Sequence, residues 1–556
     1  MMLLRHLIAG DLRRHRWLLL LWMITVIAAT TVDGVLPVVA ERPAAGNTAV
    51  LLDGLLGILS VLLRVVVIAQ VIHTHALVGS DPFWLTRPIP RLLLLRAKAI
   101  LLTVALVVVP VAAEVALMTV YDVPPGRMLG VAADTALFNV LYVALLATAA
   151  ALTPTFTRFL LLCGGVLAAI ALFLAVQATI ESISRPDPFD FIVREAQPPG
   201  PPDPTSGIVV ALLLLAAAGA TLATQYGTRQ IRRSVAVAAG SGIAALVAAG
   251  IWPWPVLRAR GELPAWAPSS LTMEAQADSA WTRAYSTTAV GAQWRRVMAP
   301  VKVDGLRTGW SAGAGLLQAS LQLDTETLSS APAAYPVAVS TGSYRTWARG
   351  EAIRDVIGAS TLVTDRQASS YDAPMLLLRE ADFRGHESAH GRYRGRFHVQ
   401  LTQHRVEATV PLRVGATAAA ANYRVTVSAI ASAFGRAEVR LRDSFTTSSF
   451  DREPRVQRTY YLVNRRTGEA FEALATTDRR ALLPRVFRGV SISTAESGFR
   501  TRNPILVFPP PSLADRELDE DWMKEADLVV VANTTEGAVE RTLDIADFPL
   551  RAVVKK

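Results

Sequence analysis

The chain has one cysteine in 556 residues, and its position limits how the protein can be stabilised. Cys163 lies inside a long apolar run, so residues 253–556 contain no cysteine. A disulfide within this C-terminal part is therefore excluded. A stretch of roughly 300 residues can bury one or two hydrophobic cores, which packing alone must hold together.

Glycine-rich nucleotide-binding motifs are also missing. The chain has no G-x-x-x-x-G-K-[ST] phosphate loop and no dinucleotide-binding fingerprint between a strand and a helix. ATP hydrolysis by the phosphate-loop route is therefore excluded, and we expect no cofactor in this chain. Active transport would require a partner protein or an ion gradient.

A concentrated block of positive charge is absent as well. The formal net charge is +10, but acidic and basic residues nearly balance in both halves of the chain. Nucleic-acid binding normally comes with a basic patch or stripe on one face. We therefore expect no nucleic-acid partner.

Long apolar runs are absent after residue 252, whereas seven of them fill the preceding residues. Each is near or above the ~20 residues that a helix needs to cross ~30 Å of hydrocarbon. The runs do not alternate as barrel strands would, so they predict about seven transmembrane helices and a bound lipid bilayer. They cover residues 17–39, 51–74, 99–120, 129–153, 159–180, 207–225 and 234–252.

Charge in the connecting segments predicts the orientation. Short cytoplasmic loops collect Lys and Arg. Bases dominate the N-terminal segment and the loop after the second run, whereas acids dominate residues 181–206. This alternation places the N-terminus in the cytoplasm and residues 253–556 outside. We predict an amphipathic interfacial helix at 1–16, a transmembrane domain at 17–252 and a proline-rich linker at 253–268.

Residues 269–556 carry the alternation of half-buried β-strands. Phe397, Val399 and Leu401 share one face of such a strand, as do Tyr423, Val425 and Val427. This pattern predicts an all-β, sandwich-like extracytoplasmic domain. Its length suggests two subdomains, 269–390 and 391–556. Hairpin turns are expected at 464–468 and 533–537, and helices near 346–357 and 513–525.

The loop after the second apolar run is basic and stiffened by prolines. It runs from Gly79 to Arg91 and contains Pro82, Pro88 and Pro90. Two interpretations remain open from composition: a positively charged loop that only fixes topology, or a docking element for a cytoplasmic protein.

The same residues carry a resemblance. The core Phe-Trp-Leu-Thr-Arg-Pro-Ile at 83–89, with Ala97-Lys98, resembles the loop between the second and third helices of bacterial type-2 ABC transporter permeases. Residues 3–7 and 11–14 resemble their N-terminal interfacial helix. The resemblance covers about the first 250 residues and is specific over about 20.

This resemblance implies a permease homo- or heterodimer in the bacterial inner membrane, energised by a separate ATPase subunit. The implied coupling residues are Asp81, Phe83, Trp84, Thr86, Arg87, Pro88 and Arg91. Family members usually have six helices with both ends inside, whereas this chain adds a seventh helix and a large outer domain. The transported substrate therefore does not follow from the resemblance.

Several polar residues lie inside the apolar runs, and three of them are candidate functional residues: Arg64, Glu114 and Asp134. A mid-bilayer Arg costs at least ~2.5–3.5 kcal/mol, so it should face protein or water. Arg64 and Glu114 lie at similar depth, and we expect an ion pair that fixes helix packing. A polar lining to a substrate path is the alternative.

The segment His386-Glu387-Ser388-Ala389-His390 matches H-E-x-x-H, in which two His on one helical face bind zinc. Gly385 and Gly391 bracket the motif and disfavour the helix that this chemistry needs. We expect no metal here, but a membrane-anchored zinc metallopeptidase remains an alternative function. A non-catalytic membrane receptor or scaffold is the other.

Overall fold

The protein is described here by a computed structural model, which divides into a helical N-terminal region and a strand-rich C-terminal region. It describes residues 2–39, 43–74, 91–184, 204–228, 230–251, 264–286, 293–324, 326–329, 346–347, 349–363, 372–420, 422–433, 436–447, 456–473, 498–502, 504–508 and 518–550. Most of the predicted linker, 253–263, lies outside these residues.

Helices account for nearly all the described residues before 252. They are α1 (Met2–Val39), α2 (Pro43–His73), α3 (Arg91–Thr103), α4 (Val109–Val120), α5 (Pro125–Leu152), α6 (Phe156–Ser184), α7 (Pro204–Thr228) and α8 (Ile231–Ile251). A π-helical turn at Val104–Val108 joins α3 to α4 without a break. Pro110 has no N–H for an intrahelical bond and its ring crowds the preceding turn, which accounts for the widened turn there.

Among the described residues, five helical segments are long and apolar enough to cross a membrane. They are Met2–Val32, Gly54–His73, Leu92–Val120, Pro125–Leu152 and Ile208–Thr228. α1 continues through the predicted boundary at residue 16, so residues 2–16 are not a separate helix. A shared core, including the buried Trp22, Ile68, Leu106 and Phe159, holds the helices together.

Strands dominate the described residues after 271. They are β1 (Thr272–Ala275), β2 (Trp281–Ser286), β3 (Gln293–Asp304), β4 (Trp310–Gln322), β5 (Thr327–Ser329), β6 (Thr346–Trp347), β7 (Thr361–Val363), β8 (Asp372–Arg379), β9 (His390–Pro411), β10 (Thr417–Ala420), β11 (Tyr423–Ala433), β12 (Arg436–Thr447), β13 (Val456–Asn464), β14 (Glu469–Glu472), β15 (Gly498–Arg502), β16 (Ile505–Phe508) and β17 (Ala526–Pro549). Short helices interrupt them: α9 (Ala267–Ser270), α10 (Arg349–Ile357), α11 (Glu380–Arg384) and α12 (Glu520–Lys524).

These strands form three sheets. A four-stranded sheet has the order β1-β3-β2, with β8 also paired to β3, and a five-stranded sheet runs β10-β11-β12-β15, with β16 on β12. The eight-stranded sheet runs β5-β4-β9-β17-β13-β14-β7, with β6 on β4. Its centre is the antiparallel pair of β9 and β17, matched from Asp527 opposite Pro411 to Pro549 opposite His390.

The boundary expected at residue 390 does not separate two sheets. β4 lies before this residue and β9 begins at it, yet the two strands pair along Trp310–Gln322. The eight-stranded sheet therefore combines strands from both predicted subdomains. A sequence pattern shows which face of a strand is buried, but it does not show which strand lies beside it.

Each of the smaller sheets shares a hydrophobic core with a different half of the eight-stranded sheet. One core joins Val297 of β3 and Leu376 of β8 to Phe397 and Val399 of β9. The other joins residues such as Val425 and Val439, on β11 and β12, to Val410 and Val530 of the large sheet. The expected inward faces are confirmed: Phe397, Val399, Leu401, Tyr423, Val425 and Val427 are all buried.

One of the two expected hairpin turns is present. The chain turns between β13 and β14, where the Asn464 side chain accepts bonds from the N–H groups of residues 466 and 467 and Gly468 has a φ of 70°. The turn predicted at 533–537 is wrong, because these residues lie within β17. Its register against β9 shifts between Thr535 and Gly537, so the glycine marks an irregularity in a strand.

Candidate functional site

The connection between α4 and α5 touches the strand-rich region. Asp122 lies in this turn with a φ of 54°, a conformation that Asp tolerates better than most residues. Its Oδ2 accepts a hydrogen bond of 2.9 Å from Nη1 of Arg424 on β11. The rings of Tyr121 and Phe499 lie 5.0 Å apart, and Phe499 packs with Met118 and Val131. The C-terminal end of α4 and the N-terminal end of α5 therefore form a mixed polar and apolar seat for β11 and β15.

Glu114, on α4, lies between this seat and the helix interior. The Thr135 hydroxyl of α5 donates to Oε2 of Glu114, and the backbone N–H of Phe499 lies 3.3 Å from Oε1. The carboxylate thus joins two helices and a strand of the C-terminal region. Such hydrogen bonds replace part of the hydration that a carboxylate loses when it is buried.

The polar contacts continue along α5, away from the seat. Asn139 lies one turn beyond Thr135 and donates through Nδ2 to the Thr135 carbonyl at 2.7 Å. Its Oδ1 accepts a 2.7 Å bond from Nη1 of Arg64 on α2. A continuous chain of polar groups therefore runs from Arg64 through Asn139, Thr135 and Glu114 to the backbone of Phe499. We call it the polar chain.

The expected ion pair between Arg64 and Glu114 is wrong. Each side chain instead bonds to α5, at positions one turn apart. The Arg64 guanidinium lies over the rings of Trp22, at 5.7 Å, and Tyr142, at 5.3 Å. Asp134, the third predicted intramembrane polar residue, directly precedes Thr135 on α5 and is 1 % exposed.

A second polar group lies where α1, α2 and α3 meet at the opposite end of the helices. Nζ of Lys98 donates to the Val71 carbonyl and lies 3.7 Å from Oδ2 of Asp11. Both side chains are almost completely buried. Nearby, Nε2 of His15 lies 2.9 Å from the Thr74 hydroxyl, which itself donates to the Gln70 carbonyl. We call Asp11, Lys98 and the Val71 carbonyl the inner cluster.

The inner cluster flanks the predicted coupling segment. Asp81, Phe83, Trp84, Thr86, Arg87 and Pro88 lie outside the described residues, and Arg91 begins α3. The described chain leaves this segment's two ends at Thr74, after α2, and at Arg91. The described ends of this segment belong to α2 and α3, which Lys98 links through the Val71 carbonyl.

The H-E-x-x-H residues do not share a helix. His386 and Glu387 lie in a turn after α11, and His390 is the first residue of β9. His386 contacts the Glu326 carboxylate through Nε2, whereas Nδ1 of His390 lies 3.0 Å from Asp547. Over the residues that the structure describes, no three His, Cys, Asp or Glu side chains gather as a metal site requires. The two His thus lack the shared helical face that the zinc interpretation needs.

Sequence reasoning missed several residues of both groups. Thr135 and Asn139 look like ordinary polar positions of a membrane helix, although their spacing of four residues places them on one face. Nothing in the sequence near Phe499 or Arg424 indicates their contacts with the helices, because contacts between distant segments leave no local pattern. The burial of Lys98 also has no local signal, because its partner Asp11 is 87 positions earlier in the sequence.

Comparisons with known proteins add no family to this description. No family model, no curated protein and no solved structure matches the chain.

Proposed function

We propose that this chain is the membrane-spanning permease subunit of an ABC-type transporter, energised by a separate cytoplasmic ATPase. The inner cluster carries the proposal. Lys98 ties α1 and the end of α2 to the start of α3, and these are the elements around the segment that resembles a coupling loop. A force applied to that segment would therefore act on three helices at once.

The polar chain supports the same proposal from the other end. It connects α2, α5 and α4 to Phe499 of the strand-rich region. A movement of these helices would change the seat on which β11 and β15 rest. In the proposed transporter, ATP-driven movement at the inner end is passed through the helices to the outer domain.

The proposal includes a topology and an assembly. All seven helical stretches span the bacterial inner membrane, with the N-terminus in the cytoplasm. The three sheets form a sandwich-like extracytoplasmic domain, and two permease chains pair as a homo- or heterodimer. The charge alternation supports the orientation. The seat on α4 and α5 supports a strand-rich region at the end of the helices opposite to Thr74 and Arg91.

Capture of the ATPase tests the proposal. A tagged chain, purified gently from its native membrane, should bring down a cytoplasmic ATPase. Trp84→Ala and Arg87→Ala should abolish capture, because Trp84 offers a large apolar anchor and Arg87 a planar donor fork. Arg96→Ala is the matched control, since it removes an exposed Arg from α3.

Three results would contradict the proposal in different ways. A preparation with no ATPase would remove the permease function itself. Equal, mild effects of Arg87→Ala and Arg96→Ala would remove docking at this loop and favour a loop that only fixes topology. Loss of insertion in the Trp84 or Arg87 variant would show that the loop acts on folding.

A further inference from the structure

The π-helical turn at Val104–Val108 joins two helices that are anchored to different partners. α3 is tied to α1 and α2 by Lys98. α4 carries Glu114, which accepts hydrogen bonds from the Thr135 hydroxyl and from the backbone N–H of Phe499. The turn therefore sets the rotation of the seat contacts on α4 relative to the inner cluster on α3.

A stripe of exposed side chains continues across this turn from α3 to α4. In a regular α-helix a step of four residues overshoots a full turn by about 40°, so five such steps would carry the stripe about 200° around the axis. A π-helical turn accommodates about one extra residue and takes back about 100° of this rotation. The turn thus halves the drift of the exposed stripe. Its members are Ile100, Val104, Val108, Ala112, Ala116 and Val120.

The sequence of α4 fits a second rotation almost as well as the observed one. If the π-helical turn became α-helical, α4 would rotate by about 100°, and the place of each residue would be taken by the residue before it. Most of these exchanges keep a side chain of similar polarity or shape. They are Val111 for Ala112, Val115 for Ala116, Leu117 for Met118 and Thr119 for Val120.

Glu114 is the exception among these positions. Its place beside Thr135 would pass to Ala113, whose side chain forms no hydrogen bond, and the contact with the backbone of Phe499 would be lost as well. Removing such partners from a partly buried carboxylate costs free energy, so Glu114 selects the observed rotation. Pro110 acts in the same direction, because its ring would crowd the preceding turn of a regular α-helix.

We propose that the turn at Val104–Val108 is a two-state element. It is π-helical while Glu114 bonds to α5 and β15, and it becomes α-helical, with α4 rotated by one residue, when these bonds are released. Movement of β15 on its seat and rotation of α4 are therefore coupled in both directions. α3 does not rotate with α4, because Lys98 ties it to α1 and α2. The rotation needs no ATPase, so it can be tested separately from the proposed transport function.

Disulfide formation between α4 and α5 can report the rotation. Met118 and Val131 are buried in one cluster, so Met118→Cys with Val131→Cys reports the observed state. Leu117→Cys with Val131→Cys reports the rotated state, in which Leu117 would take the place of Met118. Both pairs are made in the full chain carrying Cys163→Ser and are oxidised in isolated membranes. Neither pair alters Glu114.

The ratio of the second crosslink to the first measures the rotated fraction. Pro110→Ala restores the missing N–H and removes the ring, so the ratio should rise at least about tenfold. Glu114→Ala removes the bonds that select the observed state and should raise the ratio about tenfold. Val111→Ala is the matched control, since it alters a neighbouring side chain of α4 without changing a hydrogen bond, and it should leave the ratio within about twofold.

A rise of one crosslink at the expense of the other distinguishes rotation of α4 from loosening, which would lower both. An unchanged ratio in folded Pro110→Ala or Glu114→Ala protein, or the loss of both crosslinks in it, would overturn the proposal. The two substitutions act on different parts of α4, so either one decides if the other variant does not fold.

Discussion

Lys98 and Asp11 form a buried ion pair, with Nζ and Oδ2 3.7 Å apart, and Lys98 also bonds to the Val71 carbonyl. Removing one member of a buried pair leaves the other charge uncompensated, which costs far more than replacing both. The pair therefore fixes the arrangement of α1, α2 and α3 near Thr74 and Arg91, where the described chain breaks off and resumes.

Lys98→Met should lower the free energy of unfolding by roughly 3 kcal/mol. The Asp11→Asn and Lys98→Met double variant should recover much of that loss, because no buried charge remains. Denaturant titration in mild detergent, followed by tryptophan fluorescence, measures both. Arg96→Met is the control on the same helix and should change stability by less than about 0.5 kcal/mol. A Lys98→Met variant as stable as the control would show that this amine reaches water.

The seat between the two regions should depend more on Phe499 than on Arg424. Phe499 is 7 % exposed against the ends of α4 and α5, whereas the Arg424–Asp122 pair is largely exposed. Phe499→Ala should therefore speed amide hydrogen exchange at residues 118–123 and 498–502, with β9 and β17 unchanged. Arg424→Ala should have a small effect, because an exposed pair contributes ~0–1 kcal/mol. Equal acceleration by both variants would mean that the ion pair, and not the ring, holds the seat.

His404 should make the strand-rich region sensitive to acid. Its Nδ1 lies 2.6 Å from Oδ1 of Asn533 and Nε2 2.7 Å from the Ser311 hydroxyl, and burial lowers its pKa to about 4. Unfolded chains take up this proton near pH 6.5, so between pH 6.5 and 4 the unfolded state binds more protons. Stability is full above pH 6.5 and falls towards pH 4, by about 3 kcal/mol in total.

Unfolding measured at several pH values checks this slope. His404→Gln has no imidazole to protonate, so its stability should depend less on pH in that window, whatever its stability at pH 7. An unchanged slope would assign the acid sensitivity to other groups. Asp544 provides an internal comparison: hydrogen bonds from Arg392 and Arg394 lower its pKa, so its contribution is lost only in stronger acid.

Topology can be tested with fusions. A reporter after Lys556 should behave as extracytoplasmic and one at Arg91 as cytoplasmic. If both reporters were on the same side of the membrane, the result would contradict the positions inferred from the seat on α4 and α5 and from the charge alternation. A cytoplasmic C-terminus would place the error in the 207–252 helices.

The features that could be predicted from the sequence are those that the surrounding water or lipid imposes on each residue separately. Lipid requires long apolar helices, and a half-buried sheet requires alternation, so α2 and the inward face of β9 could be predicted. Pairings between distant segments could not. The glycine at 537 suits a turn and a strand irregularity equally well, and only the β9 partner decides between them. Likewise, a Lys near a helix end prefers the interface unless an acid such as Asp11 meets it inside the protein.

The long central strands β9 and β17 have a mechanical consequence. At about 3.3 Å per residue, each reaches roughly 70 Å, less what the register shifts take up. The five-stranded sheet, seated on α4 and α5, packs against one end of this pair, and the four-stranded sheet packs against the other. The pair is therefore a long, stiff element that pivots at the helix ends. A tilt of a few degrees at Phe499 would sweep the far tip, near His390 and Pro549, through several ångström.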